Sequence, residues 1–188
     1  MLVQQLKSTF RTLFDDLGSE YFNDTRLSNI LNQATLAVLL PFVKNAGENG
    51  IIDSELQPLI TKKNVLFAVN YAPLPNDHWR ELEINVSYDG TNYLTAIMGD
   101  FQKIVSRFDN PKARQPRYWL IDGTVEVRPA KTDGTAFLGN LKYIKYPLTI
   151  DLVNNPTADN GLSTDISARI IDLTVQLAKE SAREIAAQ

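Results

Sequence analysis

The chain has 188 residues, of which 44% are hydrophobic and 22% are charged, and these ordinary globular proportions exclude a disordered or collagen-like chain. It has no cysteine, which excludes a disulfide scaffold, a thiolate metal site and a cysteine nucleophile. It has a single histidine, His78. No apolar run approaches the ~20 residues of a membrane span, so we expect no membrane partner. The N-terminus lacks the apolar core of a signal peptide, so we expect a protein made and kept in a reducing cytoplasm.

The charge is distributed unevenly although its formal total is only −3. Residues 1–60 hold four Lys/Arg and seven Asp/Glu, residues 61–150 hold twelve and nine, and residues 151–188 hold three and six. The ends are therefore acidic and the middle is basic. Two explanations stay open: solvated acids at helix starts, or a middle segment that faces an acidic partner or the end of another subunit.

Helical periodicity dominates the first third of the chain. Apolar residues recur at steps of three and four over residues 2–17, which predicts an amphipathic helix stopped by Gly18. A second helix is predicted from Asp24 or Thr25, and Pro41 is expected to end or kink it. Asp53 is a good N-cap for a short helical piece that runs to residue 60.

The period then changes to the alternation that is typical of strands. Three Asp-Gly pairs separate these alternating runs, and Asp-Gly is a strong signal for a tight hairpin. They are Asp89-Gly90, Asp122-Gly123 and Asp133-Gly134. The spacing predicts an antiparallel meander over the strands 65–69, 82–86, 93–98, 118–121, 125–127 and 137–146.

Two further helices are predicted. Residues 101–108 favour a short helix capped by Asp100 over a continued strand. After a turn-rich connector at 151–162, Ser163 or Thr164 caps a helix with a continuous apolar stripe, which reaches residue 186 and is ~35 Å long.

These elements predict an α+β fold, in which a small helical bundle carries an antiparallel β-rich insertion. We divide the chain into N-terminal helices at 1–63, the β-rich insertion at 64–150, and the connector and long C-terminal helix at 151–188. The long helix is expected to pack back on the N-terminal helices, so that all three segments form one composite domain.

The motifs of common enzymes are missing from the sequence. No phosphate-binding glycine loop, GxSxG elbow, HExxH pair or EF-hand loop is present. Asp77-His78 could form a base with its orienting group, but a lone His beside an Asp in a Pro/Asn loop is far more often a surface turn. Glu81 and Glu83 are two residues apart and are expected on one strand face. A solvated strand face carries polar residues at this spacing without any function. We therefore predict no enzyme, with no catalytic residue, cofactor or metal.

A basic cluster is the one candidate binding site. Basic residues and aromatic rings interleave here, and Pro111 and Pro116 stiffen the segment. Such a cluster suits a solvated loop, a protein interface, or a surface for phosphates and bases; the acidic total charge argues against nucleic acid. The predicted partner-binding residues are Arg107, Lys112, Arg114, Arg117 and Trp119.

Several stretches together resemble a family of virion proteins. They are Arg-Phe-Asp-Asn-Pro at 107–111, Gln-Pro-Arg-Tyr at 115–118, the hairpin at 121–129, the strand ending in Tyr-Pro at 143–148, and the Ile-rich helix at 165–180. In this order they resemble head-to-tail connector proteins of tailed bacteriophages, the adaptor or ring proteins under the portal, and most of all those of crAss-like phages. The resemblance covers about residues 64–185.

This resemblance implies a virion structural protein without an active site, made in the host cytoplasm and built into the virion. Its partners would be copies of itself in a ring, commonly a dodecamer, together with the portal protein and other neck or tail proteins, and it would extend the channel for DNA. The basic cluster and the long C-terminal helix are then the expected contact regions. Two alternatives stay open: a tail-completion or sheath-initiating virion protein, and a small cytoplasmic enzyme or nucleic-acid-binding accessory factor that uses Asp77, His78 and the basic cluster.

Overall fold

A computed structural model describes residues 1–14, 22–46, 53–99 and 111–186. The chain divides into two compact units, a helical unit formed by Met1–Leu59 with Pro147–Gln188 and a β unit formed by Ile60–Tyr146. Helices and a large sheet are both present, and helices stand at both ends of the chain, which confirms the predicted α+β class. Gly18 and residues 100–108, including the helix predicted after Asp100, lie outside the described residues.

The helical unit contains three α-helices and one short 3₁₀ helix in its described part. These are α1 (Val3–Phe14), α2 (Asp24–Asn45), the 3₁₀ helix (Ser54–Leu59) and α3 (Thr164–Ala186). The predicted caps are present: the Ser163 hydroxyl accepts from the Ile166 N–H at 3.2 Å, and the Asp53 carboxylate accepts from the Glu55 N–H at 3.0 Å. α3 packs against both α1 and α2 through its apolar stripe, in which Ile166 and Ile170 are fully buried.

The second helix continues past Pro41, so the expectation that it ends there is wrong. Proline removes the N–H that would have bonded the Ala37 carbonyl. Both residues are exposed, so water can bond that carbonyl instead. Leu39 and Val43 are buried on either side of the proline and anchor the helix across it.

Side chains of α2 hold the connector that leads to α3. The Asn32 amide donates to the Ile150 carbonyl at 2.9 Å and accepts from the Ile150 N–H at 2.8 Å, as a neighbouring strand would. The Ser28 hydroxyl accepts from the Leu152 N–H at 3.0 Å. These bonds satisfy buried backbone groups of a segment that has no regular structure of its own.

The β unit is a sheet of seven strands among the described residues, in the order β1-β7-β3-β4-β5-β6-β2. The strands are β1 (Ile60–Phe67), β2 (Tyr71–Pro73), β3 (His78–Ser87), β4 (Leu94–Met98), β5 (Arg117–Ile121), β6 (Thr124–Arg128) and β7 (Phe137–Lys145).

The predicted meander is correct at two hairpins and wrong elsewhere. β3–β4 and β5–β6 are antiparallel pairs, as their Asp-Gly turns predict. However, β4 and β5 run parallel, and β7 lies between β1 and β3 instead of beside β6. The sheet is therefore mixed, because the long connection after β4 lets the chain cross over before it pairs again.

The Asp122-Gly123 turn has the geometry that its sequence predicts. Both residues have positive φ, 45° and 75°, as a two-residue type I′ turn requires. It brings Ile121 opposite Thr124 and so fixes the register of β5 on β6. At Asp89-Gly90 only the glycine has a positive φ, and the Asp89 carboxylate instead accepts backbone N–H groups of Thr91 and Asn92.

The sheet curls so that its two edge strands meet. β1 and β2 are consecutive, and Ala68 and Tyr71 exchange backbone bonds of 2.9 and 3.2 Å across the turn between them. The curl encloses a single core in which Phe67 stacks on Phe137 with ring centroids 4.9 Å apart. Other core members are Ile84, Val86, Val125, Val127, Leu141 and Tyr143.

A candidate partner-binding surface

The β5–β6 hairpin gathers basic side chains on one face of the β unit. The register places Arg117 directly opposite Arg128, and Trp119 directly opposite Glu126. Residues opposite one another in an antiparallel pair share a face. We call these four residues the basic hairpin face.

A buried carboxylate organises this face. Glu126 is 2% exposed, and its Oε1 accepts from Arg128 Nε at 2.6 Å and from Asn70 Nδ2 at 3.0 Å. The hydrogen bond to Glu126 raises the pKa of the Arg128 guanidinium, so Arg128 stays charged. The Arg128 side chain is 44% exposed, so it presents positive charge at the surface while its bond to Glu126 holds it in place.

Trp119 lies beneath this charge and does not present its ring to solvent. It is 3% exposed, and the Arg128 guanidinium lies 5.8 Å from the centre of its ring. The ring also covers the backbone of Gly99, where a Cβ atom would lie 2.2 Å from it. The prediction that Trp119 belongs to a partner-binding site stays a prediction; in the structure its ring lies under the Arg128 guanidinium.

Two other predicted basic residues lie just before β5. Lys112 and Arg114 are exposed, in a turn closed by backbone bonds between Lys112 and Gln115 of 3.4 and 2.8 Å. Arg117 is half-buried on β5, and Arg107 lies outside the described residues. A short, closed turn thus presents two cations beside the basic hairpin face.

Sequence reasoning missed Arg128, which is as central to this surface as Arg117. A signal for it existed. A two-residue turn at Asp122-Gly123 pairs residues at equal distances on either side, and counting outwards pairs Arg117 with Arg128. The interleaving of basic and aromatic residues by itself predicts only a linear segment, which ends at Trp119.

The second candidate, the Asp77-His78 pair, does not form a base with its orienting group. The Asp77 carboxylate accepts from the Tyr143 hydroxyl at 2.8 Å, and burial, together with this bond, raises the pKa of Tyr143 to about 12. His78 Nε2 is buried without a hydrogen-bond partner among the described residues, 3.9 Å from a Glu81 oxygen.

The burial of His78 predicts a pH dependence of stability. Desolvation lowers its pKa below the ordinary 6.5, against smaller opposing effects of Glu81 and Asp77. Folding therefore favours the neutral ring, and this stability is present above 6.5 and lost as the pH falls through the lowered folded pKa. We expect the unfolding free energy, measured by urea denaturation, to drop over this window in the native protein. In His78→Gln that drop should be smaller, and an equal drop would contradict the assignment.

Glu81 and Glu83 do not share a strand face. The register of β3 on β7 shifts between them, so that Glu81 lies opposite Tyr143 and Glu83 lies opposite Lys142. Glu83 also accepts from Asn85 Nδ2 at 2.7 Å. The expectation of two carboxylates on one face is wrong, because a bulge adds one residue to the strand.

In the described ranges, no group of three or more His, Asp or Glu side chains is placed to hold a metal ion. None of the described helices is both long and apolar enough to cross a membrane. No protein-family model matches the chain, and no curated protein matches it.

Proposed function

We propose that this chain is a virion structural protein, a head-to-tail connector subunit that assembles into a homo-oligomeric ring between the portal and the tail. The observation that carries the proposal is the division of charge between the two units. The helical unit has seven Lys/Arg and thirteen Asp/Glu, a formal charge of −6, while the β unit has twelve and nine, a charge of +3. The resemblance to connector proteins supports the same assignment.

Opposite charge on two parts of one chain suits a ring. Neighbours in a ring meet head to tail, so one surface of a subunit contacts a different surface of the next. The basic hairpin face with Lys112 and Arg114 is the cationic surface of such a contact. Electrostatic complementarity of this kind sets orientation and accelerates association.

The acidic groups in this proposal are two carboxylates of α3. Asp165 and Asp172 are exposed and seven residues apart, so they lie two turns apart on one side of the helix. Arg169 lies between them on that side, with its guanidinium 5.8 Å from the centre of the Phe42 ring. The helical unit of one copy would then contact the β unit of the next copy all around the ring. Acidic helical surface elsewhere on the subunit would repel phosphates and let DNA pass through the channel without binding.

The burial of Trp119 favours this proposal over a nucleic-acid-binding factor. Stacking on bases needs an aromatic ring that is open to solvent. With Trp119 only 3% exposed, its ring is not open for stacking in the described part of the basic surface. A tail-completion or sheath-initiating protein would use the same contacts at another place in the particle.

A charge swap tests the interface. In Lys112→Glu/Arg114→Glu, two exposed cations become anions, and we expect the concentration at which rings form to rise at least ~10-fold, because like charges then face each other. Adding Asp165→Lys/Asp172→Lys should restore assembly. Ring formation is measured by sedimentation velocity and negative-stain microscopy.

The matched control is Lys62→Glu/Lys63→Glu, which makes the same charge change at exposed positions on β1, a strand that pairs with neither β5 nor β6. It should assemble as the native protein does. If both double variants weaken assembly equally, or if the swap on α3 restores nothing, the proposed pairing is wrong.

A further inference from the structure

The turn between β1 and β2 holds a valine in a strained conformation. Val69 has a φ of 63°, in the left-handed region that is a genuine outlier for a β-branched residue. The Asn70 N–H donates to the Ala68 carbonyl, two residues back, at 2.8 Å. Val69 is therefore the centre of a γ-turn of the rare, strained hand.

Asn70 forces the chain into this shape. Its carbonyl accepts from the Val127 N–H at 2.8 Å, and its side chain donates to the buried Glu126 carboxylate at 3.0 Å. The two residues that flank the turn are bonded to each other as well. Because Asn70 is fixed to β6 and the ends of the turn are fixed together, the reversal of the chain falls on Val69.

The fold does not account for a valine at this position. Glycine adopts a positive φ without strain, and asparagine tolerates it better than a branched side chain does. Val69 does not add to the core either, because it is 52% exposed. Strained residues of this kind cluster at functional sites, so an exposed apolar side chain held here points to a contact outside the subunit.

The surroundings of Val69 have the composition of a protein interface. Tyr71 lies directly opposite Glu126, so it shares the basic hairpin face, and it is 45% exposed. The bond between Asn70 and β6 extends this pairing, and the next residues on the two segments are Val69 and the exposed Arg128. Tyrosine and arginine are enriched where protein partners bind most strongly. We call Val69 and Tyr71 the hairpin tip.

Charge selects the helical unit of another copy as the partner of the hairpin tip. The tip adjoins the basic hairpin face, and the β unit as a whole has a formal charge of +3. The helical unit has a charge of −6, so it is attracted to this face, whereas the β unit of a second copy is repelled.

The helical unit offers apolar surface beside its carboxylates. The Phe42 ring is half-buried, and its centre lies 5.8 Å from the Arg169 guanidinium. Arg169 lies on the side of α3 that carries Asp165 and Asp172, the two carboxylates of the proposed ring contact. An apolar side chain at the edge of the cationic surface would therefore meet an aromatic ring at the edge of the acidic one.

We propose that the hairpin tip is the apolar anchor of the ring contact, in which Val69 packs against the Phe42 surface of the neighbouring copy with Tyr71 beside it. This inference rests on the proposed function, whose charge pairing brings the same two surfaces together. Val69 suits an anchor because its branched Cβ restricts its rotamers, so little side-chain freedom is lost on binding.

Val69→Gly tests the anchor, because it relieves the strain and removes the side chain. We expect the equilibrium constant for unfolding, measured by urea denaturation below the concentration of ring formation, to fall at least ~3-fold. The concentration at which rings form, measured by sedimentation velocity, should nevertheless rise at least ~10-fold. An unfolding constant that does not fall, or rings that form as readily as in the native chain, overturns the proposal.

The matched control is Leu138→Ala, which truncates another exposed apolar side chain on β7, a strand that pairs with neither β2 nor β6. It should leave the concentration of ring formation unchanged. If it weakens assembly as much as Val69→Gly does, the loss is not specific to the hairpin tip and the proposal is wrong.

A single thiol locates the contact directly, since the native chain has no cysteine. In Val69→Cys we expect alkylation of the thiol by a maleimide to slow at least ~10-fold once rings have formed, while Leu138→Cys reacts equally fast in both states. A Val69→Cys thiol that stays reactive in rings overturns the proposal. Protection that appears only with the portal protein also overturns it, because the portal is then the occupant.

Failure of this inference differs from failure of the proposed function. A native chain that forms no ring contradicts both. Rings that form while the thiol of Val69→Cys stays fully reactive contradict the anchor alone.

Discussion

Gly139→Val is expected to lower the free energy of unfolding by about 3 kcal/mol, at the upper end of what overpacking costs. Gly139 lies in the middle of β7, between β1 and β3. A Cβ atom there would lie 2.5 Å from the Phe67 ring and 2.9 Å from the Asn85 carbonyl oxygen. The ring belongs to the core and the carbonyl to the sheet backbone, so neither can move away cheaply. Urea denaturation measures the loss.

The control for this substitution is Leu138→Val on the same strand, which changes an exposed side chain and should alter stability by no more than ~0.5 kcal/mol. A double-mutant cycle locates the clash. Adding Phe67→Ala to Gly139→Val should cost less than the two separate losses together, because the truncated ring makes room. Additive losses would mean that the clash with Phe67 is not the cause.

Glu126→Ala is expected to cost about 2 kcal/mol and to disorganise the basic surface. The substitution leaves the Asn70 amide and the Arg128 guanidinium without their acceptor, and an unsatisfied partly buried donor costs about 1–3 kcal/mol. The loss falls in the middle of that range because Arg128 is 44% exposed and water can replace one bond. Denaturation gives the loss, and ring formation should weaken as well.

Glu126→Gln is the matched variant, since it keeps an oxygen at the same place but removes the charge. It should lose about half as much stability, because neutral hydrogen bonds are roughly half as strong as charge-assisted ones. If Glu126→Ala is as stable as the native protein, Glu126 does not anchor this face. If it is unstable but assembles normally, Arg128 does not contribute to the interface.

Local features of the fold could be read from the sequence, because their causes are local. Asp122-Gly123 takes the positive φ values that its turn needs, and the Asp53 and Ser163 caps satisfy the helix ends next to them. The long apolar stripe of α3 predicted its packing against other helices. In each case the deciding contact lies within a few residues along the chain or on one helix face.

The order of the strands could not be predicted, because it depends on contacts that are distant in sequence. β7 pairs with both β1 and β3, and β1 begins 77 residues before β7 does. Alternating patterns show which side of a strand is apolar but not which strand lies beside it. The strain at Val69 is hidden for the same reason: it follows from the bonds of Asn70 to β6, which form only once the sheet has curled.

The burial of Glu126 shows how the candidate site differs from what the alternation in the sequence predicts. In Val125-Glu126-Val127 the alternation predicts a solvated glutamate. The structure buries it because Trp119 lies opposite, while Asn70 and Arg128 provide the donors that a buried carboxylate requires. The predicted cluster therefore included three described cations of this surface and omitted both its anchor and Arg128.

The mass of the native protein in solution tests the connector assignment most directly. We expect sedimentation velocity at low salt to show one discrete closed oligomer, of about twelve copies, which forms as the concentration rises and dissociates as salt screens the opposed charges. A chain that stays monomeric at high concentration, at low salt and with its portal protein present would contradict the assignment.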